Sequence, residues 1–166
     1  MKLWKRLLRH LISDQWSVRR AFPPTALRVI RDQIGAQEKR HGGELRFAVE
    51  ASLPLLQLWR GQDARGRAVE LFGQLRVWDT EHNSGVLIYL LLADKRVEIV
   101  ADRGIHNKVG AIAWEAICAE MQRAFAEGRY EQGVTTGVAA ISDLLAAHFP
   151  PDAADRNELP NEPMVL

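Results

Sequence analysis

The sequence is nearly without cysteine: Cys118 is the only one in 166 residues. An intrachain disulfide is therefore impossible, which fits a reducing compartment and a cytoplasmic location. Long apolar runs are missing too. No stretch reaches the roughly 18 apolar residues of a membrane span. The start, MKLWKRLLRHLISDQW, is basic, but Lys5, Arg6, Arg9 and His10 interrupt it before a signal-type apolar core forms, so it is not read as a signal peptide. Several catalytic signatures are also missing. There is no phosphate-binding Gly-Lys-Ser/Thr loop, no Gly-x-Ser-x-Gly elbow, no His-Glu-x-x-His helix and no phosphatase loop around Cys118. The net charge is only +1, and no recognised nucleic-acid-binding pattern accompanies the basic residues, so nucleic acid is not an expected partner.

What is present is unevenly spread. Residues 1–46 carry 11 Lys/Arg against 4 Asp/Glu, and residues 47–166 carry 11 against 17. The +7 front and −6 remainder suggest an acidic partner, an anionic lipid surface, or packing of one part on the other. At 47% hydrophobic and 26% charged the chain reads as globular, long enough to bury about two-thirds of its unfolded surface in one domain.

Hydrophobic spacing predicts the elements. Residues 2–17 form an amphipathic pattern with Trp4, Leu7, Leu8, Leu11 and Ile12 near one face. The commoner fate of such a short helix is to dock its apolar face on the domain. The alternative is a helix lying on an anionic membrane or a protein partner, with Lys2, Trp4, Lys5, Arg6 and Arg9 as its contact face. A second helix follows Pro23-Pro24 to about residue 39, with Leu27, Ile30 and Ile34 inward. Residues 44–50 alternate as a half-buried strand, and Asp63 caps a helix running to about residue 77. Residues 85–92, apolar throughout, predict a central strand, with a tight hairpin at Ala93-Asp94 into a strand over 95–101. Helices are expected from 109 to 128 and from 130 to 148. The tail from 150 is acidic and proline-interrupted, hence extended or disordered unless pinned to the domain. Strand, helix and strand over 44–92 imply a parallel crossover, and the hairpin then adds an antiparallel strand. The expected fold is a three-layer α/β/α sandwich around a small mixed sheet, with basic helices over 1–41, the α/β unit over 42–149 and the tail beyond.

The hairpin supplies the sharpest inference about a site. Asp79, Glu81, His82 and Asn83 precede the central strand, and Asp102, His106 and Asn107 follow its neighbour, so both groups should meet at one end of the sheet. Asp79, Glu81, Asn83 and Asp102 supply oxygens suited to Ca²⁺ or Mg²⁺, while His82 and His106 would tilt the set toward Zn²⁺. Arg103 and Lys108 could stabilise anionic charge there, and Trp78 could wall the site. Ordinary turn and surface roles account for the same residues. Asp94, at the opposite hairpin tip, should not join them. Cys118 and Trp114 lie on an apolar helix stripe and read as core.

Four strings in order carry a family resemblance over about residues 40–148. They are Asn83-Ser84-Gly85-Val86-Leu87-Ile88, Asp94-Lys95-Arg96-Val97-Glu98-Ile99, Gly104 in the turn Asp102-Arg103-Gly104-Ile105-His106, and Phe125-Ala126-Glu127-Gly128-Arg129-Tyr130-Glu131-Gln132-Gly133. Together they resemble the TPM domain, a family that includes a thylakoid-lumen photosystem II repair protein and bacterial envelope proteins. The resemblance implies an accessory protein for assembly or maintenance of a membrane-associated complex. It also implies divalent-cation binding and, as the alternative activity, a weak cation-dependent phosphatase. The turn departs from the family's Gly-x-Gly-Leu-Glu, losing an acidic residue and gaining His106.

Overall fold

The computed structural model describes residues 3–151 and 157–166. In chain order the elements are α1 (Leu3–Ile12), α2 (Gln15–Ala21), α3 (Pro24–Glu38), β1 (Leu45–Glu50), α4 (Leu55–Trp59), α5 (Ala64–Gln74), β2 (Val86–Leu91), β3 (Arg96–Ala101), α6 (Arg103–Val109), α7 (Ala111–Ala126), α8 (Tyr130–His148) and β4 (Met164–Val165). The strands lie in the order β3-β2-β1-β4. β1 runs parallel to β2 with Leu45 beside Val86, and β2 pairs antiparallel with β3. The three-layer α/β/α architecture is present.

Period-two alternation decides which layer each side chain joins. Leu45, Phe47 and Val49 of β1 and Val86, Ile88 and Leu90 of β2 enter one core, with Ile30, Ile34, Trp114 and Ile141 from α3, α7 and α8. Ala48, Leu87, Tyr89 and Leu91 enter the other, with Ala68 and Leu71 of α5. β1 is buried along its whole length, Arg46 and Glu50 included. A buried charge needs compensation. Glu50 receives it from Arg67, whose Nε and a terminal nitrogen donate at 2.9 and 3.1 Å, and from Tyr89 Oη at 2.7 Å.

Four local expectations change. The first helix is not continuous to residue 17. Asp14 ends it and caps α2 by accepting from Ser17 N–H at 3.0 Å. A short helix, α4, follows Pro54, where no helix is expected from the sequence. The polar string after β3 is not a turn but a helix, α6, and Gly110 at φ 81° separates it from α7. The tail is pinned through 157–166. β4 extends the sheet beside β1, Glu44 accepts the N–H groups of Glu158 and Leu159 at 2.9 and 3.1 Å, and Arg46 donates to Pro160 O. Among the described residues no helix is long and apolar enough to cross a membrane.

The tail anchor concentrates buried acid. Burial, and then the nearby Glu44 charge, push the Glu38 carboxyl up to about 8. A carboxyl with a raised folded-state value binds its proton more tightly folded than unfolded. Its contribution therefore falls as pH rises from about 4.5 to 8, by up to about 1.4 kcal/mol per pH unit. Glu38→Gln keeps an acceptor for Leu45 N–H and removes the titration. Urea melts at several pH values should show the variant gaining stability over the parent between pH 5 and 8. A constant difference across that range would contradict the assignment.

Candidate functional site

The two loops predicted to meet do meet, through their backbones. Asp102 N–H donates to Gly85 O at 2.9 Å and Ile105 N–H to Asn83 O at 3.3 Å. Gly104 makes the approach possible. A Cβ there would fall 2.7 Å from His82 O and closer still to Asn83 O. Asn83 takes a left-handed φ of 51°, which asparagine tolerates better than most residues.

The side chains do not converge in the same way. Asp102 is buried, at 8% exposed. One of its oxygens caps α6 by accepting from Arg103 N–H at 2.6 Å, and the other, Oδ2, has no hydrogen-bond partner. Asp79 is exposed and 4.0 Å from Arg76. Glu81, His82, Asn83, His106 and Asn107 are exposed, and the Glu81 N–H is held by the Glu158 carboxylate. Lys108 leaves the loops for the end of α8, donating to His148 O at 3.3 Å with its ammonium 4.2 Å from the Phe149 ring centre. Arg103 and Trp78 are exposed. Among the described residues no three of His, Cys, Asp and Glu stand close enough to hold a metal ion.

The N-terminal face is organised more tightly, and of the apolar stripe expected to dock only Leu7 packs against the core. Asp94 accepts from Arg6 Nε at 2.9 Å and from Arg9 at 2.9 Å. His10, whose side chain is fully buried, places Nε2 3.3 Å from the same carboxylate, an electrostatic contact more than an aligned hydrogen bond. Leu53 N–H donates to His10 Nδ1 at 2.9 Å, so Nδ1 carries no proton and the neutral ring is protonated at Nε2. Burial would raise the Asp94 carboxyl, but Arg6 and then His10 hold it below its ordinary value. Burial lowers the His10 ring, with Asp94 opposing.

This clamp turns the charged side of α1 inward. Trp4, Leu8, Leu11 and Ile12, which fall within about 100° around the helix, face solvent, with Ile12 76% exposed. Lys5 is exposed beside them, its ammonium 5.9 Å from the Trp4 ring centre. The contact face read from the sequence thus divides. Trp4 and Lys5 are outward, Arg6 is drawn inward, Arg9 is half-buried, and Lys2 lies outside the described residues. α4 packs against α1 and exposes Leu55, Leu56 and Trp59. Sequence reading missed Asp94 and His10 as organisers. The available signal was a lone histidine amid arginines, opposite the apolar stripe.

The sequence from 20 to 144 matches the family model described as TPM domain. That span begins upstream of residue 40 and takes in α3, whose Ile30 and Ile34 belong to the same core. A solution structure of the BA42 protein from the psychrophilic bacterium Bizionia argentinensis is 30% identical, with a TM-score of 0.77, over 87% of this chain and 95% of that one. The solution structure of the N-terminal domain of a protein from P. gingivalis shares the fold at 19% identity and a TM-score of 0.64, covering 79% of this chain and 82% of that one. No curated protein matches the sequence.

Thermal melts should rank the loop residues by their backbone roles. Gly104→Ala forces a Cβ against two carbonyls and should cost about 1–3 kcal/mol. Asp102→Ala loses a helix cap worth about 1 kcal/mol, and Asp79→Ala should stay within about 0.5 kcal/mol of the parent. A larger loss for Asp79→Ala than for Gly104→Ala would contradict this account.

Proposed function

The chain belongs to the TPM domain family, and from that premise we propose that it is a binding or accessory protein that docks on an anionic membrane surface and aids a membrane-associated complex there. One observation carries the reading: α1 holds Arg6, His10 and Leu7 against the domain and turns Trp4, Leu8, Leu11 and Ile12 outward. Leaving such groups in water forfeits about 25 cal/mol for each Å² that could be covered. Interfacial helices cover that area by sinking the apolar face among lipid headgroups, with Trp and cations at headgroup level. Trp4, Trp16 and Trp59 are exposed, and each Lys or Arg near an anionic surface adds about 1 kcal/mol. Lys5, Arg19, Arg20 and Arg60 are exposed on or beside the same helices.

A divalent cation at the end of the sheet is the second reading, favoured by the unpartnered Asp102 Oδ2. Three or more coordinating groups would have to come from backbone oxygens and water as well as side chains. Saturable amide shifts with Ca²⁺, confined to residues 79–83 and 102–107 and lost in Asp102→Ala, would support it. No shift at millimolar metal discards it. Phosphatase chemistry at Asp79, Glu81 and Asp102 has no comparable observation behind it.

The membrane reading is tested by co-sedimentation with phosphatidylcholine vesicles, with and without phosphatidylserine. Binding should require the anionic lipid, weaken with salt, and fall at least about tenfold in Leu8→Glu/Ile12→Glu, since each buried aliphatic is worth about 1.5–3 kcal/mol. No binding, or binding unchanged in the double variant, would overturn it.

A further inference from the structure

β3 is an edge strand, and its outer edge is not sealed. Even-numbered residues of β3 exchange bonds with β2, as Asp102 N–H to Gly85 O shows just beyond the strand. Val97, Ile99 and Ala101 therefore direct their N–H and C=O groups outward. Ile99 O accepts from the Arg65 guanidinium at 2.6 Å, and its N–H lies beside the Cys118 sulfur. Val97 and Ala101 open onto a cleft of about 420 Å³ that runs along the strand. Arg65 of α5 forms one wall of this cleft; Trp114, Cys118 and Ala119 of α7 form the other.

A second observation points to a ligand. Trp114 is 6% exposed and lines the cleft, yet its indole N–H has no hydrogen-bond partner. A buried unmatched donor costs about 1–3 kcal/mol, and a carbonyl entering the cleft would relieve it. Charge is also left open. Among the described residues Arg96 forms no salt bridge, and Arg65 reaches Glu98 only at 3.9 Å. Glu98 lies beside these two arginines and leaves that wall one net positive charge, while the α7 wall sets Glu115 and Gln122 beside its apolar residues.

We propose that this cleft binds an extended segment of a partner protein as a fifth strand along β3, with alternating apolar and acidic side chains. Strand addition uses the outward N–H and C=O groups, and alternation sends successive side chains to opposite walls. Apolar residues meet Trp114, Cys118 and Ala119, while acidic residues meet Arg65 and Arg96. Arg65 gives up Ile99 O to the incoming chain and pairs with its carboxylate. Helices α5 and α7 both pack against β3, so the site takes a single segment of a partner more readily than the sheet edge of a second copy. The inference stands apart from the membrane face, which lies on α1 and α4.

The test uses the ¹⁵N-labelled full chain and an acetylated, amidated heptapeptide of alternating valine and glutamate. Saturable shifts are expected at the amides of Val97, Ile99 and Ala101 and at the Trp114 indole N–H. Ala101→Pro removes one outward donor without touching the ladder to β2, and should weaken binding about tenfold. Trp114→Phe should weaken it similarly, and stands alone should the proline variant unfold. Replacing glutamate by lysine in the peptide should also weaken binding at least tenfold. The proposal is overturned by no saturable shift at millimolar peptide, by equal response to both peptides, or by binding that survives in the Trp114→Phe variant. Self-association of the chain through the same amides without peptide would likewise overturn it.

Discussion

Asp94 gathers Arg6, Arg9 and His10 at the tip of the β2–β3 hairpin, and the character of the N-terminal surface depends on that single carboxylate. An exposed ion pair contributes at most about 1 kcal/mol. Here the carboxylate is 9% and Arg6 16% exposed, so solvent screens the cluster weakly. The Leu53 N–H bond to His10 fixes the ring and completes the contact. Because hydrogen bonds, charge and the packing of Leu7 hold α1, Trp4, Leu8, Leu11 and Ile12 are not needed for attachment and remain free for another surface. Removing the carboxylate would leave two arginines and a histidine against a desolvated hairpin, and α1 would lose its orientation.

The same economy of charge recurs in the sheet. β1 is buried from end to end, yet carries Arg46 and Glu50, with Glu44 just before it. Glu50 is matched by Arg67 and Tyr89, and Glu44 and Arg46 are matched by the backbone of the tail. The acidic C-terminal segment thus closes one edge of the sheet with peptide groups, through β4 and the N–H groups of Glu158 and Leu159. Among the described residues, the other edge, β3, has the Arg65 guanidinium and a cysteine sulfur across it. One sheet therefore has one edge completed by its own chain and one still offering backbone groups.

Much of this fold was legible because periodicity reports burial directly. The near-continuous apolar run of β2 marked a strand covered on both faces, and α8 ran from Tyr130 to His148 as its spacing implied. The failures came where one residue overrides a pattern. Asp14 broke the first helix through a capping interaction, and Gly110 divided α6 from α7. The loop convergence was correct at the level of topology, but carboxylates near in sequence were turned outward or spent on a cap. The orientation of α1 was the largest surprise, since amphipathicity identifies two faces without saying which one the protein keeps for itself. Only Asp94, 84 residues beyond His10 in the chain, decides that.

Long-range ¹H–¹⁵N correlation of the His10 ring as a function of pH tests the clamp most directly. The account requires a single tautomer, Nδ1 accepting and Nε2 protonated, that resists protonation until the pH falls below the ordinary histidine value of 6.5. A ring that averages both tautomers and titrates at that ordinary value would mean α1 is not held by its polar side, and the outward apolar face would fall with it.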